Sequence, residues 1–298
     1  MIGEVFGKWL CNLSMTFDLL RSRIIFICLL FCLAGPATHG QQRTLTPNMR
    51  VHNFHSRILA QDRYLLVWLP PGYDENTSRR YPVYYMHDGQ NAYINWRVDE
   101  TAETLITAKD IAPLILVGIY HGGTQEDRFR DYTPTYNQNF RTSGKADAYG
   151  RMLVEEIKPF IDSQYRTLAD QSHTGMGGAS LGGLASLYLG LKYPNTFGKL
   201  ALMSPSVWWD DKTILKSVKK LTAKPNVQIW LDIGAAEGDD RLREIRQLRD
   251  ALIAKGMAID SDLKYVEAKG AEHNEKAFAQ RAGQVLRYLF PAQPGIGL

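Results

Sequence analysis

The stretch Gly175-Met-Gly-Gly-Ala-Ser-Leu-Gly-Gly-Leu184 contains Gly178-Ala-Ser-Leu-Gly182, a match to the G-x-S-x-G motif. The preceding His173-Thr-Gly-Met-Gly177 predicts a short buried strand, and residues 184–192 predict a helix. A strand that turns this sharply into a helix holds Ser180 in a strained backbone conformation, with its hydroxyl exposed above the sheet edge. The helix N-terminus also directs its free N–H groups towards any oxyanion that forms nearby.

Taken alone, the pentapeptide is also consistent with a glycine-rich turn in which a serine happens to fit. Two other glycine motifs do not match. A P-loop requires a lysine directly after its glycines, but none follows before Lys192. A dinucleotide fingerprint starting at Gly175 would need glycine where Ser180 stands. The choice between a turn and a nucleophile therefore depends on the rest of the chain.

Composition indicates an ordinary globular protein. The 298 residues are 45% hydrophobic and 22% charged, and the net charge of +4 is spread along the chain. The densest basic stretch, Lys216-Ser-Val-Lys-Lys220, is typical of a solvated helix face rather than of a nucleic-acid site. We therefore predict no nucleic-acid partner.

The N-terminus has the layout of a secretory signal peptide. Arg21 and Arg23 precede an apolar core over 24–34, and small residues over 35–40 follow it. The core is shorter than the roughly 20 residues that span a bilayer. We predict a signal peptide over 1–40, with a possible true start at Met15 and a cut near Gln41. The mature protein would be secreted or periplasmic, without a stable membrane anchor.

The three cysteines all lie inside this predicted signal peptide, at Cys11, Cys28 and Cys32. A mature chain without cysteine has no disulfide, cysteine nucleophile or thiolate metal site. No cluster of metal ligands is visible either. We therefore predict that the protein uses no metal and no organic cofactor.

Strand-like and helix-like segments alternate from about residue 51 onward. The predicted strands cover 52–59, 64–69, 81–86, 113–120, 199–203, 227–233 and 263–267, in addition to the strand before Ser180. The predicted helices cover 98–109, 149–165, 184–192, 241–254 and a last segment that ends at Leu289. Residues 121–142 form a polar, aromatic loop that is too long for a simple connection. This pattern predicts an α/β fold, with a mainly parallel sheet, helices on both faces and an antiparallel N-terminal edge. No repeat or linker divides residues 41–298, so we predict one domain there.

A nucleophilic serine needs a base, and the base needs an acid that orients it. In the hydrolase fold that uses this elbow, the chain order is serine, acid, histidine. Of the seven histidines, only His273 follows Ser180, and it lies in the loop after the last predicted strand. His273 is therefore the predicted base.

Several acidic residues lie between the serine and the histidine. Glu237 follows the 227–233 strand, whereas Asp232 still lies within it. Asp239 and Asp240 fit equally well as caps of the next helix. We place Glu237 first as the acid and keep Asp232 as the alternative.

The predicted oxyanion hole combines two backbone N–H groups, those of Leu181 and Gln90. Gln90 belongs to the loop His87-Asp-Gly-Gln-Asn91, which follows the strand over 81–86. We predict substrate contacts from Asp88 in this loop and from Trp208 and Trp209, which would form a stacking wall. For the two tryptophans, ordinary packing in the core is an equally good interpretation.

Six stretches in order resemble the putative-esterase family of α/β-hydrolases, which includes esterase D-like, enterochelin-esterase-like and feruloyl or acetylxylan esterase-like enzymes. They are Leu69-Pro-Pro-Gly-Tyr73, Tyr85-Met-His-Asp-Gly-Gln-Asn91, Asp131-Tyr-Thr-Pro134, Gly178-Ala-Ser-Leu-Gly-Gly-Leu184, Ser204-Pro-Ser-Val-Trp-Trp209 and Glu272-His-Asn274. The resemblance covers about residues 51–290. It implies an α/β-hydrolase fold with Ser180 as nucleophile, His273 as base and an acid within 234–240. The family's acid is often aspartate, so the glutamate at position 237 is a departure.

The predicted function is that of a secreted serine esterase that forms an acyl-enzyme. Its partner would be a small soluble ester, such as a carbohydrate-linked feruloyl or acetyl ester or a siderophore-type ester. The alternatives are an acyltransferase of the same fold and a non-catalytic binding protein that retains it. The presence of both Ser180 and His273 favours an enzyme. The sequence does not determine the oligomeric state.

Overall fold

Short apolar segments form an eight-stranded sheet at the centre of the computed structural model, which describes residues 46–292. The strands are β1 (Met49–Ser56), β2 (Gln61–Trp68), β3 (Val83–His87), β4 (Ile115–Ile119), β5 (Thr174–Ala179), β6 (Lys199–Met203), β7 (Gln228–Gly234) and β8 (Leu263–Ala268). Their order in the sheet is β1-β2-β4-β3-β5-β6-β7-β8. β2 pairs antiparallel with β1 and with β4, and the remaining pairs are parallel. The predicted mainly parallel sheet with an antiparallel N-terminal edge is confirmed.

Helices connect the parallel strands, as right-handed crossover connections require. They are α1 (Gly89–Ile94), α2 (Val98–Thr107), α3 (Gln125–Tyr132), α4 (Ala146–Arg151), α5 (Lys158–Gln164), α6 (Leu181–Lys192), α7 (Trp209–Lys219), α8 (Asp239–Ala254) and α9 (Glu275–Leu289). A π-helical segment, Met152–Ile157, joins α4 to α5, and a short 3₁₀ turn, Gln171–His173, precedes β5.

Alternate residues along the central strands bury their side chains in two separate apolar clusters. Tyr85 and Val117 belong to one cluster, and their neighbours Tyr84 and Leu116 belong to the other. Because successive side chains of a strand point to opposite faces, the two clusters lie on the two faces of the sheet. Both faces are therefore covered, which explains the continuous apolar runs of β3 and β4.

The structure differs from the sequence prediction in two connecting regions. The segment 121–142, predicted as a loop, contains α3, which starts with a capping box between Thr124 and Asp127. The single helix predicted over 149–165 is interrupted by the π-helical segment. In addition, α1 and most of α7 were not predicted. α1 has only six residues, and in α7 the apolar Ile214, Leu215 and Val218 stand among lysines in a short charged segment.

The predicted signal peptide over 1–40, the start at Met15 and the cut near Gln41 lie outside the described residues. The described residues belong to one compact unit. Among residues 46–292, no helix has both the length and the apolar character needed to cross a membrane.

Candidate active site

Ser180 lies at the sharp turn between β5 and α6. Its backbone angles are φ 58° and ψ −117°, which a residue with a side chain rarely adopts. A Cβ atom on Gly178 would lie only 3.1 Å from the Cα atom of Gly182, so the turn requires glycine there. The Ser180 N–H donates to the Met203 carbonyl at 2.9 Å and fixes the turn against β6. This is the strained elbow that the pentapeptide predicts.

His273 and Glu237 meet above the carboxyl ends of β7 and β8. His273 directly precedes Asn274, whose side chain accepts the Ala277 N–H at 2.9 Å and caps α9. The Nδ1 atom of His273 lies 2.7 Å from Oε2 of Glu237. The glutamate side chain is 2% exposed and the histidine side chain 45% exposed. The Glu237 carboxylate is thus shielded from solvent, whereas the His273 imidazole is partly exposed to it.

The Glu237 carboxylate accepts two further hydrogen bonds. Its Oε1 atom accepts from Oγ of Ser204 at 2.5 Å and from the Gly234 N–H at 2.8 Å. Burial raises the pKa of Glu237, but the hydrogen bonds from His273, Ser204 and Gly234 outweigh it, and the net pKa is lowered. The group is therefore an anion at neutral pH.

Asp232, the alternative acid, does not contact His273. It is fully buried, and its Oδ2 atom accepts from Nε1 of Trp230 at 2.7 Å. Its Oδ1 atom lies 3.1 Å from Nη1 of Arg281 and accepts the Ser204 N–H at 3.1 Å. Burial raises the pKa of Asp232 to about 6, against the lowering effect of Arg281. The sequence left Glu237 and Asp232 as alternatives for the acid, and Glu237 is the one whose carboxylate contacts His273.

Ser180, His273 and Glu237 line one cavity of about 300 Å³. The other lining residues are Ser204, Pro205, Ser206, Trp208, Ile233, Arg241, Glu244 and Ile245. In the described structure the Ser180 hydroxyl lies 3.2 Å from Oγ of Ser206, and it forms no hydrogen bond with His273. Catalytic hydrogen bonds are often long or misaligned in substrate-free sites, so this arrangement is compatible with a serine–histidine pair.

The loop after β3 packs directly against the first turn of α6. A Cβ atom on Gly182 would lie 3.2 Å from Cβ of His87. Asp88, next in the loop, is 3% exposed and receives contacts of 2.9–3.0 Å from Nε and Nη2 of Arg128. The Asp88 N–H donates to the Tyr132 hydroxyl at 2.9 Å. Asp88 does not line the cavity. Its carboxylate is engaged by Arg128, and its contact with substrate stays a prediction.

The two predicted oxyanion donors both lie in the first turn of a helix. Leu181 is the first residue of α6 and Gln90 the second residue of α1, so neither N–H has an acceptor within its own helix. Neither residue is among those that line the cavity. The oxyanion hole therefore stays a prediction.

The neighbouring tryptophans have different environments. Trp208 is partly exposed and lines the cavity, with the Arg241 guanidinium 4.9 Å from the centre of its ring. Trp209 is fully buried, and its Nε1 atom donates to Thr135 at 3.1 Å. Trp209 thus has the core environment of the packing interpretation, and of the two tryptophans only Trp208 faces the cavity. Contact of substrate with them stays a prediction.

Three residues around the site were not among the predicted site residues. Arg128 contacts Asp88, Ser204 contacts Glu237, and Arg281 contacts Ser204. Ser204 stands in the stretch 204–209 that resembles the esterase family, and Arg281 also had a signal in the sequence. It lies on the apolar face of α9, three residues after Phe278 and four before Val285, where an arginine needs a buried partner.

Within residues 46–292, no three histidine, cysteine or acidic side chains are grouped so that they could hold a metal ion.

A parallel sheet, a nucleophile elbow after β5 and a histidine loop after the last strand define an α/β-hydrolase. The model of the family described as Putative esterase matches residues 56–292. The chain belongs to this family and is an esterase, a carboxylic ester hydrolase.

Relatives and solved structures agree with this family. The uncharacterized protein YbbA of Bacillus subtilis is 30% identical over 78% of this chain and 94% of its own. The iron(III) salmochelin esterase of Escherichia coli is 28% identical over 67% of this chain and 49% of its own. The crystal structure of the BES protein from Bacillus cereus has a TM-score of 0.69 at 22% identity, and the match covers 84% of this chain and 97% of that one.

Proposed function

We propose that the protein is a serine esterase that works through a Ser180–His273–Glu237 triad and an acyl-enzyme. The observation that carries this proposal is the 2.7 Å contact between His273 and Glu237 at the same cavity as the strained Ser180. Because the carboxylate faces Nδ1, the proton of neutral His273 resides on Nδ1. The Nε2 lone pair is then free to accept the serine proton.

In the proposed mechanism, the Ser180 hydroxyl turns from Ser206 towards His273 and attacks the ester carbonyl carbon. The serine proton passes to Nε2, and the N–H groups of Leu181 and Gln90 stabilise the oxyanion. The carbon–oxygen bond to the alcohol then breaks, and the alcohol leaves with the proton from Nε2. Water then gives a proton to Nε2 of His273 and attacks the acyl carbon. The bond from that carbon to Oγ of Ser180 breaks, Oγ takes the proton back from Nε2, and the acid leaves.

We propose small soluble esters with an aromatic acyl group as the substrate class. Trp208 gives the cavity one aromatic wall, on which an aryl group can stack. The relationship to the salmochelin esterase supports siderophore-type esters, and the carbohydrate-linked feruloyl ester is the second candidate. Trp208→Ala should raise KM for a feruloyl ester by about 2- to 10-fold, since aromatic pairs contribute about 0.5–1.5 kcal/mol. KM for an acetyl ester should change little.

We also propose that the enzyme is exported to the periplasm or secreted, on the basis of the basic and apolar segment within residues 1–40. N-terminal sequencing of the exported protein should find a mature end near Gln41. Recovery of the activity only in the cytoplasm, with the N-terminus uncut, would contradict export.

The deciding experiment is hydrolysis of p-nitrophenyl acetate and butyrate by the wild type, Ser180→Ala and His273→Ala. Both variants should lose at least about 10³-fold in kcat. His173→Ala is the matched control, because His173 lies at the opposite end of β5 and pairs with Asp170. Wild-type activity in Ser180→Ala would contradict the proposal. If an added alcohol intercepts the acyl-enzyme more often than water does, the protein is a transferase with the same triad.

A further inference from the structure

A buried group of residues lies behind Glu237, on the side away from His273. We call Ser204, Asp232 and Arg281 the β7-side cluster. Ser204 follows β6, Asp232 lies within β7 and Arg281 lies in α9. Each residue is 3% exposed or less, and Ser204 is the member that touches Glu237, at 2.5 Å. The proposed mechanism gives none of these side chains a role.

Ser204 holds an unfavourable backbone conformation. Its φ is 42°, in the left-handed region that glycine tolerates and other residues avoid. The Ser204 N–H donates both to the carbonyl and to the carboxylate of Asp232, at 3.0 and 3.1 Å, and these bonds hold the strained backbone in place. Glycine would adopt this φ with less strain. What serine adds at this position is its hydroxyl group.

Arg281 determines the direction of the hydrogen bond between Ser204 and Glu237. Nη2 of Arg281 lies 3.3 Å from Oγ of Ser204 and can only donate. A hydroxyl has one proton, and an ionised carboxylate only accepts. The Ser204 proton must therefore point at Oε1 of Glu237. Asp232, which lies 3.1 Å from Nη1 of Arg281, holds the guanidinium in this position.

We propose that Ser204, oriented by Arg281 and Asp232, is a positioning residue that keeps Glu237 ionised and aimed at Nδ1 of His273. This inference rests on the proposed triad and deepens it. Ser204 does not touch the reacting atoms. It acts through Glu237, and its loss would lower the fraction of His273 held in the tautomer that accepts the Ser180 proton.

Ser204→Gly tests this proposal, because it removes the hydroxyl and leaves a residue suited to the backbone angle. We expect kcat on p-nitrophenyl butyrate to fall about 10- to 100-fold, the usual effect of a hydrogen bond to a charged group. KM and Tm should stay close to wild type. In the pH profile of kcat/KM, the acidic step that belongs to the ionisation of Glu237 should move to higher pH, because Glu237 loses a bond that lowers its pKa. Ser204→Ala removes the same hydroxyl and should give the same kinetic change.

A double-mutant cycle with Glu237→Gln distinguishes an effect of Ser204 on Glu237 from a general disturbance of the site. In the Glu237→Gln background, Ser204→Gly should cause no further loss of kcat, because the hydroxyl then has no carboxylate to orient. Additive losses would overturn the proposal, and so would a Ser204→Gly protein with wild-type kcat and an unmoved acidic step. Ser180→Ala is assayed in parallel. If that variant is inactive while Ser204→Gly is fully active, the triad stands and this inference alone fails.

Discussion

Two arginine–carboxylate pairs with buried carboxylates lie on opposite sides of Ser180, and they are built differently. On the β3 side, Arg128 grips Asp88 through Nε and Nη2, with contacts of 2.9–3.0 Å. On the β7 side, Nη1 of Arg281 lies 3.1 Å from Oδ1 of Asp232 without hydrogen-bond geometry, and Nη2 is directed towards Ser204. The first pair is a side-on ion pair, whereas the second shares its arginine with the neighbour of Glu237.

This difference separates two uses of buried charge. A side-on pair gives both partners several charge-assisted hydrogen bonds in a defined geometry, here at Asp88 in the loop that leads to Gln90. An ion pair without hydrogen-bond geometry at Nη1 compensates its carboxylate less completely, and burial raises the pKa of Asp232 to about 6. Nη2 of Arg281 remains available to donate to Ser204, which in turn donates to Glu237 of the proposed triad. We therefore expect substitutions on the β7 side to lower kcat more than the free energy of unfolding. Substitutions in the Arg128–Asp88 pair should lower the free energy of unfolding more than kcat.

The largest expected effect is that of Glu237→Gln on the β7 side. An amide in place of the carboxylate no longer fixes the proton on Nδ1 of His273, so kcat should fall on the order of 10⁴-fold. The free energy of unfolding should change far less. Esterase kinetics and urea denaturation measure the two quantities. Glu244→Gln is the control, because Glu244 lines the same cavity without a contact to His273. A loss in Glu237→Gln of less than tenfold would remove Glu237 from the triad.

Arg128→Met should show the opposite pattern. It leaves Asp88 buried without its partner, and breaking such a pair typically lowers the free energy of unfolding by about 3–5 kcal/mol. Urea denaturation of Arg128→Met beside Arg281→Met makes the comparison direct. We expect the larger loss in Arg128→Met, since Arg128 makes three hydrogen bonds with its carboxylate, whereas Nη1 of Arg281 makes none with Asp232. Equal losses would mean that the number of contacts does not distinguish the two pairs.

Gln90→Pro tests whether the β3-side loop supplies an oxyanion donor. Proline removes the backbone N–H in the first turn of α1, where that N–H has no intrahelical acceptor. We expect kcat to fall about 10²- to 10³-fold, the usual cost of losing one oxyanion donor. Gln90→Ala keeps the N–H and should retain nearly full activity. If both variants behave alike, the donor is another group.

The smallest expected effect is a pH dependence of stability. The pKa of Asp232 is about 6 in the folded protein and ordinarily 3.8. Between these values the folded state binds more protons than the unfolded state, so the free energy of unfolding falls as pH rises. At about 1.4 kcal/mol per pKa unit, this group contributes about 3 kcal/mol in all, of which about 2 kcal/mol is lost between pH 4 and 6. The difference between wild type and Asp232→Asn, measured in urea, should decrease over that range. A flat difference would mean that Asp232 is already ionised at pH 4.

The sequence predicted the parts of the site that depend on local pattern or chain order. The spacing of glycines around Ser180 predicted the elbow, because a side chain at Gly178 or Gly182 would meet neighbouring backbone or side-chain atoms. Chain order selected His273, because no other histidine follows the serine. The alternation of strands and helices predicted the sheet, since each parallel pair needs a crossover connection.

Tertiary structure decided everything that depends on which buried neighbour a side chain meets. Glu237 and Asp232 lie five residues apart and are both acidic, but only the loop residue can turn to His273, while the strand residue points into the packed interior. Trp208 and Trp209 are adjacent and chemically identical, yet one lines the cavity and the other fills the core. The pairs Arg128–Asp88 and Arg281–Asp232 join residues 40 and 49 positions apart. Burial and ion pairing are set by contacts between distant segments, and those contacts exist only once the sheet has assembled.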